Sequence, residues 1–81
     1  MKTIEIPVDE IYVPVKHVHA LDPGKVEARA DEFIDNGHMV PIRVRHDGKR
    51  YVLVNGLHRL EAAKALGEAT ITAFLVQAEQ H

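Results

Sequence analysis

The segment Asn55-Gly56-Leu57-His58-Arg59 holds the residues with the clearest chemical potential, because it follows a predicted strand and begins a predicted helix. The first N–H groups of a helix have no intrahelical acceptor and carry partial positive charge. They attract phosphate, and Gly56 lets an anion approach the backbone closely. Arg59 adds a permanently charged bidentate donor, and His58 adds a donor whose charge depends on pH near neutrality. The segment therefore predicts an anion site.

A purely structural interpretation of the same segment stays open. Positive side chains at a helix N-terminus oppose the helix dipole at a cost of about 0.3–1 kcal/mol per exposed charge. Glu61 could relieve this conflict by pairing with Arg59 or His58. In that case the two basic residues are ordinary solvated charges at a helix start.

The hydrophobic pattern predicts the elements that position this segment. Alternating apolar residues indicate strands, and apolar residues three or four apart indicate helices. In chain order we predict a strand at 4–8, an extended piece at 11–15, a loop at 16–21, a helix at 22–36, strands at 41–45 and 51–54, a helix at 57–66, a strand at 70–76 and a polar tail at 77–81.

The first long helix carries clear start and stop signals. Asp22-Pro23 supplies an N-cap and a proline at the first helical position, and Asn36-Gly37 ends the helix. The predicted core residues on one face of this helix are Val26, Ala30, Phe33 and Ile34; Ile42, Leu53 and Phe74 are the core residues predicted in the strands. Together the elements predict an α+β domain, a mixed sheet with two main helices.

Composition limits the classes of function. The chain has 81 residues, which is enough for a single domain over residues 1–81, and no cysteine, which excludes disulfides, thiolate nucleophiles and Cys-ligated metals. It is 46% hydrophobic and 27% charged, typical of a globular domain, and its net charge of −2 provides no bulk basic field for DNA binding. The uncharged stretch 69–78 contains no membrane span and the first ten residues contain no secretory signal, so we expect a cytoplasmic protein.

Four stretches of the sequence resemble the ParB/sulfiredoxin superfamily over roughly residues 4–77. They are Leu21-Asp22-Pro23-Gly24-Lys25-Val26-Glu27, Pro41-Ile42-Arg43-Val44, Gly56-Leu57-His58-Arg59, and Thr70-Ile71 through Leu75-Val76-Gln77. The similarity is greatest to the sulfiredoxins. In this superfamily the turn and helix start hold nucleotide phosphates, ATP in sulfiredoxin, CTP in ParB and ADP in the free-serine kinases.

The resemblance implies a nucleotide-phosphate site formed by Lys25, Gly56, Leu57, His58 and Arg59, with Lys25 reaching the nucleotide from the first turn of its helix. We expect Mg²⁺ to accompany a bound nucleotide. Without the resemblance, Lys25 is read as an ordinary solvated lysine. No other metal site is expected.

Departures from the superfamily pattern restrict the chemistry. Leu57 stands where sulfiredoxins have their catalytic cysteine, so sulfinic-acid reduction is excluded. Ala28 and Glu32 stand at positions of other polar nucleotide contacts. No helix-turn-helix domain follows in this sequence, so we expect no direct DNA binding.

Hydrolysis or phosphotransfer needs a group that orients or accepts a hydroxyl proton. Glu10, Glu32 and Glu61 are the candidates, and the sequence does not select among them, so the catalytic residue is unknown. Two alternatives to nucleotide binding stay open. One is a non-catalytic module for protein interaction or homodimerisation; the weaker one is a ParB-like nuclease.

Two further groups of residues are read as structural. His17 and His19 would project to the same side of an extended segment, with a third ligand from His38 or His46, but the spacing matches no zinc template. The basic residues around the predicted hairpin are interpreted as a solubilising face; they are Arg43, Arg45, His46, Lys49 and Arg50.

Overall fold

The computed structural model describes residues 2–76, so the predicted polar tail at 77–81 lies outside the described residues. The elements in chain order are β1 (Thr3–Pro7), a 3-10 turn (Val8–Glu10), β2 (Ile11–Tyr12), α1 (Val15–Val18), α2 (Pro23–Asn36), β3 (Ile42–His46), β4 (Tyr51–Asn55), α3 (Leu57–Ala65) and β5 (Thr70–Leu75). The predicted α+β class with two main helices is confirmed.

The strands within residues 2–76 form one mixed sheet in the order β1-β5-β3-β4-β2. β1 pairs antiparallel with β5, β5 parallel with β3, β3 antiparallel with β4, and β4 parallel with β2. Pro7 ends the edge strand β1, where a missing N–H costs no pairing inside the sheet. β3 and β4 therefore lie inside the sheet; β2 pairs with the start of β4 at Tyr51 and Val52, and the end of β4 at Asn55 pairs with Arg43 of β3.

The core lies between α3 and the sheet. Ile42, Val44 and Leu60 are fully buried at 0% exposure, and Leu53 is 2% exposed. The remaining buried hydrophobic residues of this cluster are Ile6, Val8, Ile11, Leu57, Ala63, Ile71 and Ala73. The prediction that Ile42 and Leu53 are core residues is confirmed.

α2 contributes less to this core than its pattern predicts. It packs mainly against α3, and within Pro23–Asn36, all of which the structure describes, no residue is buried. Phe33 is half-buried, Phe74 in β5 is also half-buried, and Ile34 is 65% exposed. The prediction of Ile34 as a core residue was wrong, because a helix that packs on another helix buries a narrower stripe than one that packs on a sheet.

The segment predicted as a loop at 16–21 begins with a short helix. Pro14 precedes α1, and the His19 N–H donates to the Val15 carbonyl at 3.2 Å. His17 and His19 are therefore not in an extended segment, and the geometry that would turn both rings to one side is absent from this helical turn.

The predicted ends of α2 are confirmed. Asp22 Oδ1 accepts a hydrogen bond from the Gly24 N–H at 2.9 Å, and Pro23 is the first helical residue. At the other end the Gly37 N–H donates to the Phe33 carbonyl at 2.7 Å. These local contacts set where α2 begins and ends beside α3.

Candidate functional site

The turn between β4 and α3 is held by packing against β3. Gly56 has φ +109°, a conformation that L side chains rarely adopt, and a Cβ built there would lie 2.6 Å from Ile42 Cγ2. Because Ile42 is fully buried, it has no room to move away. Glycine is therefore required at position 56 by the fold itself, in addition to any role in admitting an anion.

The first turn of α3 is fixed by the core and open at its end. Leu57 is 7% exposed and packs into the core cluster. Among the described residues, no side chain caps the α3 N-terminus. The N–H groups of this turn are therefore available to a group beyond the helix end.

A cavity of about 370 Å³ opens at this helix end. Its lining comes from α2, from the segment before β3 and from the β4–α3 turn: Arg29, Glu32, Met39, Val40, Asn55, Gly56, Leu57, His58 and Arg59. The structure thus brings together four of the five predicted site residues. The fifth, Lys25, is exposed in the first turn of α2 and is not among the residues that line the cavity.

The Arg59 guanidinium is bonded to the protein frame. Nη1 donates to the Pro41 carbonyl at 2.9 Å and to the Val40 carbonyl at 3.2 Å, and Nη2 donates to Asn55 Oδ1 at 3.0 Å. Burial, and then the positive charges of Arg29 and Arg43, lower the pKa of Arg59. Arg59 remains charged at neutral pH and brings a fixed positive charge to the cavity.

His58 connects the two long helices. Its Nε2 accepts a hydrogen bond from the backbone N–H of Asp22, the N-cap of α2, at 3.1 Å. This bond requires an unprotonated Nε2, so the neutral ring carries its proton on Nδ1. The sequence offered His58 as a donor to an anion or as a solvated charge; in the structure it holds the start of α2 beside the start of α3.

The sequence did not predict a pair of Arg29 and Glu32 in the cavity, although Glu32 was a candidate carboxylate. They form an ion pair with Arg29 Nη1 2.6 Å from Glu32 Oε1, and their side chains are 43% and 54% exposed. A signal for them exists in the sequence. Lys25, Arg29 and Glu32 are spaced i, i+4, i+7, which places them on one helix face.

Of the three candidate carboxylates, Glu32 lines the cavity. Glu61 lies 3.5 Å from Lys64 on α3, and Glu10 is exposed in the 3-10 turn. Within residues 2–76, no group of three or more His, Asp or Glu residues is placed to hold a metal ion. No helix in this part of the chain is long and apolar enough to cross a membrane.

The basic hairpin makes contacts within itself and with Tyr12 of β2. Asp47 Oδ1 accepts from the backbone N–H groups of Lys49 and Arg50 at 3.0 Å each, and the Arg50 guanidinium lies 3.7 Å from the centre of the Tyr12 ring. These contacts agree with a structural role for this face.

A profile of the ParB N-terminal domain family matches residues 1–81, the whole chain. The chain belongs to this family. No curated protein sequence matches it at a significant level. The match to the ParB N-terminal domain family confirms the resemblance to the ParB/sulfiredoxin superfamily that the sequence motifs indicated.

Solved structures show the same fold for this ParB N-terminal domain. Sulfiredoxin from Arabidopsis thaliana is 29% identical, with a TM-score of 0.84 over 96% of this chain and 88% of that protein. C-terminally truncated ParB from Caulobacter crescentus, complexed with CTP-γ-S, is 19% identical, with a TM-score of 0.80 over 99% of this chain. A free serine kinase mutant in complex with ADP is 17% identical, with a TM-score of 0.79 over 94% of this chain. The chain spans 47% of that ParB structure and 31% of the kinase.

Proposed function

We propose that this domain binds a nucleotide through its phosphates at the cavity formed by α2 and the β4–α3 turn. The observation that carries the proposal is the N-terminus of α3, which no side chain within residues 2–76 caps and which opens onto a cavity that also holds two arginines. Helix N-termini and arginines both favour phosphate. Structures of the same fold in complex with CTP-γ-S and ADP support this choice of ligand class.

Each residue has a defined part in the proposed complex. The backbone N–H groups of Leu57, His58 and Arg59 meet the phosphate oxygens, with Gly56 allowing a close approach. His58 adds its Nδ1–H, and Arg59 adds its fixed charge. Lys25, exposed on α2, is the residue that would meet the outer part of the ligand, and Mg²⁺ would accompany the phosphates. A volume of about 370 Å³ lies at the lower end of the range for ligand pockets, which suits a phosphate chain with the nucleoside extending outward.

The proposal extends from nucleotide binding to hydrolysis or phosphotransfer of the bound nucleotide. Leu57 cannot form a thiolate, so sulfinic-acid reduction by the cysteine route is excluded. Hydrolysis or phosphotransfer would use Glu32, the candidate carboxylate in the cavity, to orient a hydroxyl or water. A chromatographic assay of ATP and CTP conversion by the wild type and Glu32→Ala tests this activity directly.

Binding is tested by NMR titration of ¹⁵N-labelled protein with ATP, ADP, AMP, CTP and GTP at millimolar concentration, with and without Mg²⁺. We expect amide shifts at 55–60 and 29–32 with at least one nucleotide. The hairpin amides at 47–50 serve as the internal control. No shifts with any nucleotide, or shifts confined to the hairpin, would rule out the proposed site.

A second candidate, a protein-interaction or dimerisation module, is favoured by a different surface. An apolar recess of about 450 Å³ is lined by Leu21, Pro23, Val26 and Ala65, with Glu61 and Lys64 at the same site. Val26→Asp would abolish association there and leave nucleotide shifts intact. Analytical ultracentrifugation of the wild type and this variant distinguishes the two functions.

A further inference from the structure

We propose that Arg29 is the adjustable phosphate ligand of the cavity, and that Glu32 occupies its guanidinium until a phosphate takes the place of the carboxylate. This inference rests on the proposed function, because it concerns how the same cavity receives its ligand. Arg29, which lies outside the sequence motifs that match the superfamily, would contact the phosphate directly. Glu32 would compete with the phosphate for Arg29.

The two arginines of the cavity differ in how they are held. Arg59 donates to Val40, Pro41 and Asn55, so three of its five N–H groups are bonded to oxygens of the protein frame. A movement of this guanidinium toward a ligand would leave two backbone carbonyls without their donor. Arg59 therefore contributes charge from a fixed position.

Among the described residues, no backbone carbonyl holds the Arg29 guanidinium in this way. Its hydrogen-bond partner is the Glu32 carboxylate, and Arg29 Nη1 lies 2.6 Å from Glu32 Oε1. Both side chains are about half exposed, so water can replace either partner and the pair holds together weakly. A phosphate oxygen and a carboxylate oxygen are equivalent acceptors for a guanidinium, and phosphate carries the larger charge. Exchange of one for the other is therefore favourable.

The charge of Glu32 also changes the electrostatic potential inside the cavity. Glu32 is an acid among cavity residues that include two arginines, and its charge partly offsets the lowering of the Arg59 pKa by burial and then by Arg29 and Arg43. An acid beside an anion site repels the ligand and competes for Arg29 at the same time. Removing its charge should strengthen phosphate binding, and the gain should depend on the presence of Arg29.

A double-mutant cycle tests this dependence, with ADP and inorganic pyrophosphate as probes in isothermal titration calorimetry at constant ionic strength. We expect Arg29→Ala to weaken binding of ADP by about tenfold or more, since a charged hydrogen bond to phosphate is lost. Glu32→Gln should tighten binding by roughly threefold to tenfold, and in the Arg29→Ala background this gain should fall below about twofold. Glu27→Gln is the matched control, with the same loss of charge on the same helix at an exposed position outside the cavity.

Each outcome decides the question. Equal ADP affinity of Arg29→Ala and the wild type, or weaker binding by Glu32→Gln, would overturn the inference while leaving nucleotide binding in place. A gain from Glu32→Gln that persists without Arg29, or that Glu27→Gln reproduces, would show general charge repulsion and no competition for Arg29. If the wild type binds neither these probes nor any of the five nucleotides of the NMR titration, the proposed function fails and the inference fails with it. Far-UV circular dichroism confirms that each variant is folded.

Discussion

The two long helices both line one cavity, each forming one of its walls, and they are held in different ways. α3 buries Leu57, Leu60, Ala62 and Ala63, whereas within Pro23–Asn36 the structure shows no buried residue. α3 is thus part of the core, and α2 is attached to its outer side through partly buried contacts and through the bond from Asp22 to His58.

This difference matches what each wall offers a ligand. The α3 wall presents backbone N–H groups, which bind an anion well only if the helix end is held in place. The α2 wall presents Arg29 and Glu32, half-exposed side chains that can change partners at low cost. A site of this kind combines a fixed set of donors with an adjustable one.

The largest difference between the two helices is expected in the unfolding free energy that is lost when one side chain of each helix is truncated to alanine. Leu60→Ala removes a side chain that is 0% exposed and should cost about 3–5 kcal/mol of unfolding free energy. Ile34→Ala, at 65% exposure, should cost less than about 0.5 kcal/mol. Urea denaturation followed by circular dichroism measures both. Equal losses would show that α2 belongs to the core as much as α3 does.

A second test concerns the turn that holds the α3 N-terminus. Gly56→Ala adds a Cβ 2.6 Å from Ile42 Cγ2 at a φ of +109°, and should cost about 2–4 kcal/mol through overlap and backbone strain. Gly67→Ala is the matched control, because φ there is +78° and the added Cβ meets no described residue within 4 Å apart from its own local backbone. It should cost about 1–2 kcal/mol. A Gly56→Ala variant as stable as Gly67→Ala would mean that β3 can move away from the turn.

The third test compares the two arginines in the absence of ligand. Arg59→Ala removes the donor to the Val40 and Pro41 carbonyls and should lower the unfolding free energy by about 1.5–3 kcal/mol. Arg29→Ala breaks one half-exposed ion pair and should lower it by about 0–0.5 kcal/mol. Thermal unfolding of both variants against the wild type measures the difference. A stable Arg59→Ala variant would mean that its guanidinium is free for a ligand after all.

The smallest expected effect lies away from both walls, at the hairpin. Hydrogen bonds from the backbone N–H groups of Lys49 and Arg50, and the Arg50 charge, lower the pKa of Asp47. Because the folded-state pKa lies below the unfolded value near 4, the stabilisation is complete above that value and is lost as pH falls through the folded-state pKa. The stability difference between wild type and Asp47→Asn should therefore shrink when urea midpoints are measured from pH 5 down to pH 3. A difference that stays constant over this range would contradict the assignment.

Apart from the short helix α1 and the 3-10 turn, the sequence alone determined the elements and the chemistry of the β4–α3 turn. Asp22-Pro23 and Gly37 set the ends of α2 through contacts two to four residues apart, and alternation placed Ile42 on the buried face of β3. The motif at Gly56, His58 and Arg59 identified the helix end that lines the cavity. Local hydrogen bonds and the spacing of apolar residues along the chain produce these features. Residues that are close together in the sequence specify both.

Only the tertiary structure decided which groups meet at that helix end. Arg59 reaches carbonyls 18 and 19 residues away, and Arg29 and Glu32 join the cavity because α2 packs on α3. The same packing left Ile34 exposed and Phe33 half-buried. A hydrophobic pattern shows which face of a helix is covered, but what covers it, and how much of it, depends on the arrangement of the whole chain.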